Sequence, residues 1–371
     1  ISLLNFGHYD EFLRYLDKYH GIAFHYISQP IQFFISNLVS NLNEVSDFGG
    51  HLMSKHSIVF LIFSLSGIYF FKLIYKITQN SFFSYLSTFV YLLYPYLFGH
   101  SLFNMKDIPF LSVWLITTYY FLNIIEDIYL EKNLEYKKLI FISFLTAYLI
   151  SIRILGILIF LQVLISLIIL FNIKDIKLSI FIKNYYKKFF ISLFSLVLFV
   201  YLMNPIFWLD PYEFVNSIKW MSNYFNNICT LTLGDCMNSL SLPSSYYFIW
   251  LFFKLPILII LGIITFPLIE KKIFKNDLHT IYYGTFCFSA LAIVFLFILL
   301  RVNIYDEIRH IMFVLPLLFL VGLINIFFIN KKLSYILSIF TVIFFIFENI
   351  SLNPYQYTCL NSFAKFTKIE K

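Results

Sequence analysis

After a half-polar opening of about 55 residues, the chain settles into apolar runs separated by short polar joints. The runs lie at about 57–76, 81–98, 108–125, 139–151, 154–171, 189–204, 246–267, 280–300, 308–329 and 333–349. Long, nearly uncharged stretches predict membrane-crossing helices, which need roughly 20 residues each. Several of these runs are shorter, and the pair 139–151 and 154–171 leaves open one long kinked helix in place of two. The expected fold is an all-α polytopic membrane protein, a helical bundle with about ten transmembrane helices. Residues 1–55 predict an extramembrane loop with one or two amphipathic helices on the interface. The bundle then occupies 56–349, with a long loop at 205–245 and a polar tail at 350–371.

The lysines orient the bundle. With two helices in 139–171, alternate loops collect Lys72, Lys137, Lys187, Lys271, Lys331 and their neighbours. The other set holds, between residue 56 and the tail, Lys106, Arg153, Lys219, Arg301 and Arg309. By the positive-inside rule the first set is cytoplasmic. Residues 1–55, the 94–110 stretch, the 205–245 loop and the tail then face outward.

Composition agrees. The 371 residues are 60% hydrophobic, 22% aromatic and 13% charged, against roughly 25% charged in a soluble domain. A net charge of +7 is no nucleic-acid signal, because the lysines sit in short loops. Cys229 and Cys236 share one loop and, if it faces outward, could pair. His8, His20, His25, His51 and His56 form no recognised metal spacing. There is no glycine-rich phosphate loop and no metalloprotease or hydrolase motif, so a nucleotide cofactor is not expected.

The polar residues that do occur cluster on the outward side. His100, Asn104, Lys106 and Asp107 fall within eight residues, where Asp107 and Pro109 mark a helix start. Lys106 beside a helix N-terminus makes an anion site, or a lysine snorkelling at the surface. Arg153, between two apolar runs, is expensive unless paired. In Tyr305-Asp306-Glu307-Ile308-Arg309-His310, Asp306 faces both Arg309 (i,i+3) and His310 (i,i+4) if a helix has begun. That makes either an ion pair at a helix end or an anion-binding fork. Pro316 kinks or starts the helix that follows.

Phe98-Gly99-His100-Ser101 followed by Asn104-Met105-Lys106-Asp107-Ile108-Pro109-Phe110 resembles the Gly-His-x-x-x-Asn-x-Lys-Asp-x-Pro-Phe stretch of bacterial GT-C type glycosyltransferases. The group is the dolichyl-phosphate-mannose-protein mannosyltransferase-like, or family 39-like, one. Further stretches are similar in the same order: Ile152-Arg153-Ile154-Leu155-Gly156, then Leu242-Pro243-Ser244-Ser245-Tyr246 with Trp250 and Lys254-Leu255-Pro256. Tyr305-Asp306-Glu307-Ile308-Arg309-His310 with Pro316, and Asn353-Pro354-Tyr355-Gln356-Tyr357 with Asn361, complete the set.

The resemblance implies a GT-C-like bundle in the bacterial inner membrane, its site facing the periplasm. Such an enzyme moves a sugar from a polyprenyl-phosphate donor to a lipid, glycan or protein acceptor, with inversion. It implies His100, Asn104, Lys106, Arg153, Tyr305, Asp306, Arg309, His310, Tyr355 and Gln356 as substrate-binding residues. Lys106, Arg153 and Arg309 would hold the phosphate, and Asp107 would orient a hydroxyl or a divalent metal. The family's base is an acidic pair in its first outer loop. Asp10-Glu11 fits superficially, but Lys18-Tyr19-His20-Gly21 looks like an element that follows that pair. The expectation is then that the first helix and the true pair precede Ile1. The competing expectations are a lipid-linked sugar flippase, which would show inverted repeats and a continuous polar path, and a non-catalytic membrane scaffold.

Overall fold

The apolar runs are helices, and the polar joints supply their caps. The computed structural model describes residue 19 and residues 21–43, 47–208, 210–223, 228–232, 234–302 and 304–367. Asp10 and Glu11 lie outside these residues. The helices in chain order are α1 (Ala23–Asn43), α2 (Asp47–Thr78), α3 (Ser81–Leu92), α4 (Pro95–Ser101), α5 (Asp107–Tyr129), α6 (Tyr136–Ile152), α7 (Ile159–Lys174) and α8 (Leu178–Met203). After α9 (Glu213–Asn223) an antiparallel hairpin, β1 (Cys229–Thr232) with β2 (Asp235–Asn238), interrupts the helices. Then come α10 (Ser245–Lys254), α11 (Ile257–Ile264), α12 (Phe266–Ile273), α13 (Asp277–Leu299), α14 (Leu315–Ile329) and α15 (Lys331–Ser351).

Among the described residues, seven helical segments are long and apolar enough to cross a membrane: Gly49–Thr78, Asp107–Tyr129, Ile154–Lys174, Leu178–Met203, Asp277–Leu299, Arg309–Ile329 and Lys331–Ser351. The expected run at 246–267 is instead two helices, α10 and α11, bent by 115°, and counts as an eighth span only if the pair crosses together. The run at 81–98 breaks because Pro95 cannot continue α3 and starts α4. At 17 residues, α6 is shorter than the seven. The doubtful pair 139–151 and 154–171 is two elements, parted at Arg153, which is extended.

Asparagines start three of the helices. The side chains of Asn80, Asn276 and Asn330 accept from Phe83 N, His279 N, and Lys332 and Leu333 N, satisfying free N–H groups at the starts of α3, α13 and α15.

The chain divides into two units, each described by itself. The first comprises Ile1–Ile62, Asn104–Phe160 and Ile176–Tyr224. Within it α6 packs against α8 and α5, and Ser143 Oγ lies 2.9 Å from both the carbonyl and the hydroxyl of Ser192. Gly21 lies so close to α6 that a Cβ would stand 2.2 Å from the Ser151 carbonyl oxygen, so only glycine fits. Tyr19 donates to Glu213 (2.5 Å), tying the opening loop to α9.

The second unit comprises Phe63–Phe103, Leu161–Asp175 and Phe225–Lys371. Its centre is α14, packed by α11, α12, α13 and α15. Gly262 and Gly322 bring α11 and α14 into backbone contact; a Cβ on Gly262 would stand 2.1 Å from the Gly322 carbonyl oxygen. Close approach through small residues is how helices associate where no hydrophobic drive exists. Asn325, buried on α14, donates to the Gly262 carbonyl at 2.9 Å and locks that crossing.

Candidate functional site

In the first unit the candidate residues meet at the start of α5. Asn104 makes the cap: its side-chain oxygen accepts from the backbone N–H of Lys106 (3.2 Å) and of Asp107 (2.9 Å), while its amide donates to the Asp107 carboxylate (3.0 Å). Asp107 is thus the first helical residue and not the cap that its position suggested. Its negative charge still suits the helix N-terminus. At the end of α6 the chain turns outward at Arg153, whose carbonyl accepts from Gly156 N (2.8 Å) as a 3-10 turn begins. The Arg153 guanidinium donates to the Asp107 carboxylate, and both side chains are largely buried, at 14% and 7% exposure. Arg153 is therefore a paired residue and not a snorkelling one. Lys106 stays exposed. A neighbouring cavity lined by Tyr19, Gly21, Ile154 and Asn204 holds about 20 Å³, room for a water and not for a sugar.

The second unit holds the larger constellation, around a lysine. Pro256 ends α10, because the residue before a proline avoids the helical region, and Leu255 is extended. Lys254 is left as the last residue of α10, a favourable end for a cation. Its side chain is fully buried, with Nζ 2.7 Å from the Glu307 carboxylate and 3.4 Å from the Tyr357 carbonyl. The ammonium lies 4.4 Å from the centre of the Tyr96 ring. Tyr94 donates to the Lys254 carbonyl. The turn carrying Tyr357 reaches α4 because residue 99 is glycine; a Cβ there would stand 2.3 Å from Tyr357 N.

His100 packs edge-on against Tyr96, ring centres 4.7 Å apart. Burial first, and then the Lys254 and Arg309 cations, lower its pKa to about 3. It is a neutral group at ordinary pH and cannot serve as a cationic anion ligand. Burial pushes Glu307 above the usual carboxylate range, with Lys254 working against it.

The loop bearing Glu307 departs from the helical expectation. Asp306 and Glu307 both have φ of 61°, a left-handed conformation that is costly for two consecutive residues other than glycine and that concentrates at functional sites. Asp306 pairs with Arg309 at 2.5 Å as expected, but across a turn and not along a helix. The His310 ring packs instead on Tyr305, centres 4.7 Å apart. Pro316 stands in the first turn of α14 and starts it.

Beside this loop lies a cavity of about 980 Å³. Its walls include Trp250, Tyr305, Asp306, Glu307, Glu348, Asn361, Ile228 and the β1 residues Cys229, Thr230 and Leu231. The hairpin is closed by a Cys229–Cys236 disulfide, and Trp250 Nε1 donates to Thr232 Oγ1 at 3.2 Å. Tyr355 is exposed and Gln356 is buried; neither lines the cavity. Gln356 donates to the Asn349 carbonyl (3.1 Å) and to Asn353 Oδ1 (3.2 Å), holding the tail against α15, while its Oε1 is buried with no hydrogen-bond partner among the described residues.

The expected residues thus fall into two groups. Asn104, Lys106, Asp107 and Arg153 belong to the first unit, and His100, Tyr305, Asp306, Arg309, His310, Tyr355 and Gln356 to the second. Sequence reasoning left Lys254, Glu307, Trp250 and Glu348 out of the site. The available signal was a charge inside an apolar run: Lys254 in 246–267 and Glu348 in 333–349. Among the described residues no three His, Cys, Asp or Glu side chains are placed to hold a metal.

Comparison with protein-family models, with curated proteins and with solved structures finds no match to this chain.

Proposed function

We propose that the protein is an inverting membrane glycosyltransferase of the GT-C type, acting in the bacterial inner membrane on its periplasmic side. It takes a sugar from a polyprenyl-phosphate donor and passes it to an acceptor. The observation that carries the reading is the 980 Å³ cavity, where the aromatic rings of Trp250 and Tyr305 stand beside the carboxylates of Asp306 and Glu307 and the Asn361 amide. Flat apolar faces with a few fixed polar groups suit a sugar ring. An apolar groove of about 710 Å³ in the same unit, walled by Ile165, Ile168, Phe248, Phe288 and Phe295, suits a polyprenyl tail.

In the transfer, the acceptor oxygen bonds to the anomeric carbon as the bond from that carbon to the phosphate oxygen breaks. The acceptor proton passes to a carboxylate, and the phosphate leaves with the bonding pair. Of the two carboxylates on the loop, Glu307 is the better proton acceptor, because burial raises its pKa. Arg309, paired with Asp306 in the same unit, offers the planar fork that phosphate prefers.

The test is the purified protein in liposomes given radiolabelled polyprenyl-phosphate hexose and an acceptor lipid extract. Transfer of label is expected, reduced by about 100-fold or more in Glu307→Gln and Arg309→Gln. Label that crosses the bilayer without changing carrier would replace this reading with that of a flippase. Full activity in Glu307→Gln would remove the residue assignment.

A further inference from the structure

The polarity of α1 is reversed. Its buried side carries the polar Ser28 and Gln32 beside Ala23 and Phe24. Its exposed side carries Tyr26, Ile27, Phe33, Phe34 and Leu38, with Phe33 at 68% and Phe34 at 80% exposure. These five recur at i, i+1, i+7, i+8 and i+12, one stripe of a helix. A helix facing water would turn such a stripe inward, and a contiguous apolar face of this kind marks a contact with something other than water. The helix also carries no charge. None of its 21 residues is Asp, Glu, Lys or Arg, and burial first, then the Lys55 cation, lowers the pKa of its histidine, His25, to about 4.

Two hydrogen bonds set the level of α1. Gln32 Nε2 donates to the His51 carbonyl at 2.7 Å, near the start of the membrane-length segment Gly49–Thr78. The Tyr26 hydroxyl donates to the carbonyl of Met203 at 3.1 Å, the last residue of the segment Leu178–Met203. Both partners lie in the first unit with α1. One helix thus meets the start of one such segment and the end of another, where both leave the bilayer on the same side. The two ties are six residues apart, about 9 Å along the axis. α1 therefore runs across that boundary and not through it.

We infer that α1 is an anchor lying in the membrane–water interface, its aromatic stripe in the lipid, which grips a phospholipid surface by apolar insertion and not by headgroup charge. The expectation for residues 1–55 is an amphipathic helix on the interface. The stripe, the two ties and the absence of charge fix which side enters the lipid, at what level and by which force. At the end of a membrane-crossing segment, what lies beside exposed Phe33 and Phe34 is the boundary of headgroups and acyl chains. Interfacial helices that hold to anionic lipid do so through Lys and Arg on the polar face, and α1 has neither. The inference stands apart from the glycosyltransferase reading.

The deciding experiment places Phe34→Trp in the full chain in nanodiscs and reads the emission it adds to that of the wild-type protein. Quenching is compared between lipids brominated near the headgroup, lipids brominated deep in the acyl chain, and aqueous iodide. Phe194→Trp, at an exposed site within α8, gives the deep reference, and free tryptophan amide in the same buffer gives the aqueous one. Leu38→Trp reads the same stripe should Phe34→Trp fail to fold. Shallow bromines are expected to quench about twofold more strongly than deep bromines or iodide, as for a site roughly 5–10 Å into the headgroup boundary. Replacing part of the zwitterionic lipid with phosphatidylglycerol should leave that quenching unchanged. Quenching by iodide alone would put the stripe in water and overturn the inference. So would emission that no quencher reaches, which would mean that a second copy or another protein covers the stripe. Bromine quenching that appears only with the anionic lipid would overturn the charge-free grip.

Discussion

Lys254 and Glu307, 53 positions apart in sequence, form an ion pair of 2.7 Å in which the lysine side chain is wholly buried. A buried pair of this kind adds little over a well-packed apolar pair, but removing one partner leaves an uncompensated charge. Lys254→Met should therefore cost about 3 kcal/mol. Lys254→Met with Glu307→Gln should recover much of that loss. Unfolding of the two variants and of Glu307→Gln in detergent completes the double-mutant cycle, and strict additivity would mean that the pair is not coupled.

The pH dependence of stability should carry the mark of His100. Its folded pKa, about 3, lies below the ordinary value of roughly 6.5, so the folded state favours the neutral ring. Its contribution is fully present above the ordinary value and is lost as pH falls from there towards 3. In that window stability should drop by about 1.4 kcal/mol per pH unit from this residue alone. His100→Gln should flatten the profile over the same window, read as the difference between wild-type and variant unfolding curves. Glu307 has the opposite sign: its raised pKa favours the protonated form, so its contribution fades as pH rises.

Asn104→Ala removes the cap of α5 and the donor to Asp107 together. A loss of about 1 kcal/mol is expected from the cap. Asn104→Asp keeps the cap oxygen but sets a second carboxylate beside Asp107. It should be the worse of the two at neutral pH and converge on the alanine variant in acid, as measured by thermal unfolding across pH.

Gly99→Ala should be destabilising by about 2 kcal/mol, because the added carbon meets backbone at Tyr357 and Gln356 with no flexible side chain to yield. Cysteine accessibility gives a local reading. Cys359, buried two residues beyond Tyr357, should alkylate faster in Gly99→Ala than in the wild-type protein if the turn has lifted.

Much of the helical layout was legible because apolar runs must be helical in lipid, where every backbone group needs an internal partner. Arg153 and Asp107 were legible as costly groups beside such runs, and they do pair. What hydropathy hid was geometry within a run. The stretch 246–267 reads as one span, yet Pro256 folds it by 115° and turns Lys254 from a stray charge into the centre of a buried cluster. The helical reading of 305–310 failed for a related reason. Its i,i+3 pair survives, but Asp306 and Glu307 adopt left-handed backbone, which no spacing rule anticipates for such residues. Gln356 stood out because it is polar in a familiar motif; the sequence did not show that its nitrogen ties the tail to Asn349 and Asn353.

The interleaving of the two units sets an order for biogenesis. The first unit has its last segment by Tyr224, whereas α11 to α15, which build the centre of the second, all follow it. At roughly 5–20 residues per second, the ~105 residues from Tyr224 to the end of α14 at Ile329 take about 5–20 s to synthesise. During that interval Phe63–Phe103 and Leu161–Asp175 are already made but lack α14. The partly made chain must therefore keep two early pieces of the second unit from pairing wrongly, and a holding factor or the lipid itself has to cover Phe83, Tyr91 and Tyr94, which pack on Phe327 and Phe319 of α14, until that helix arrives.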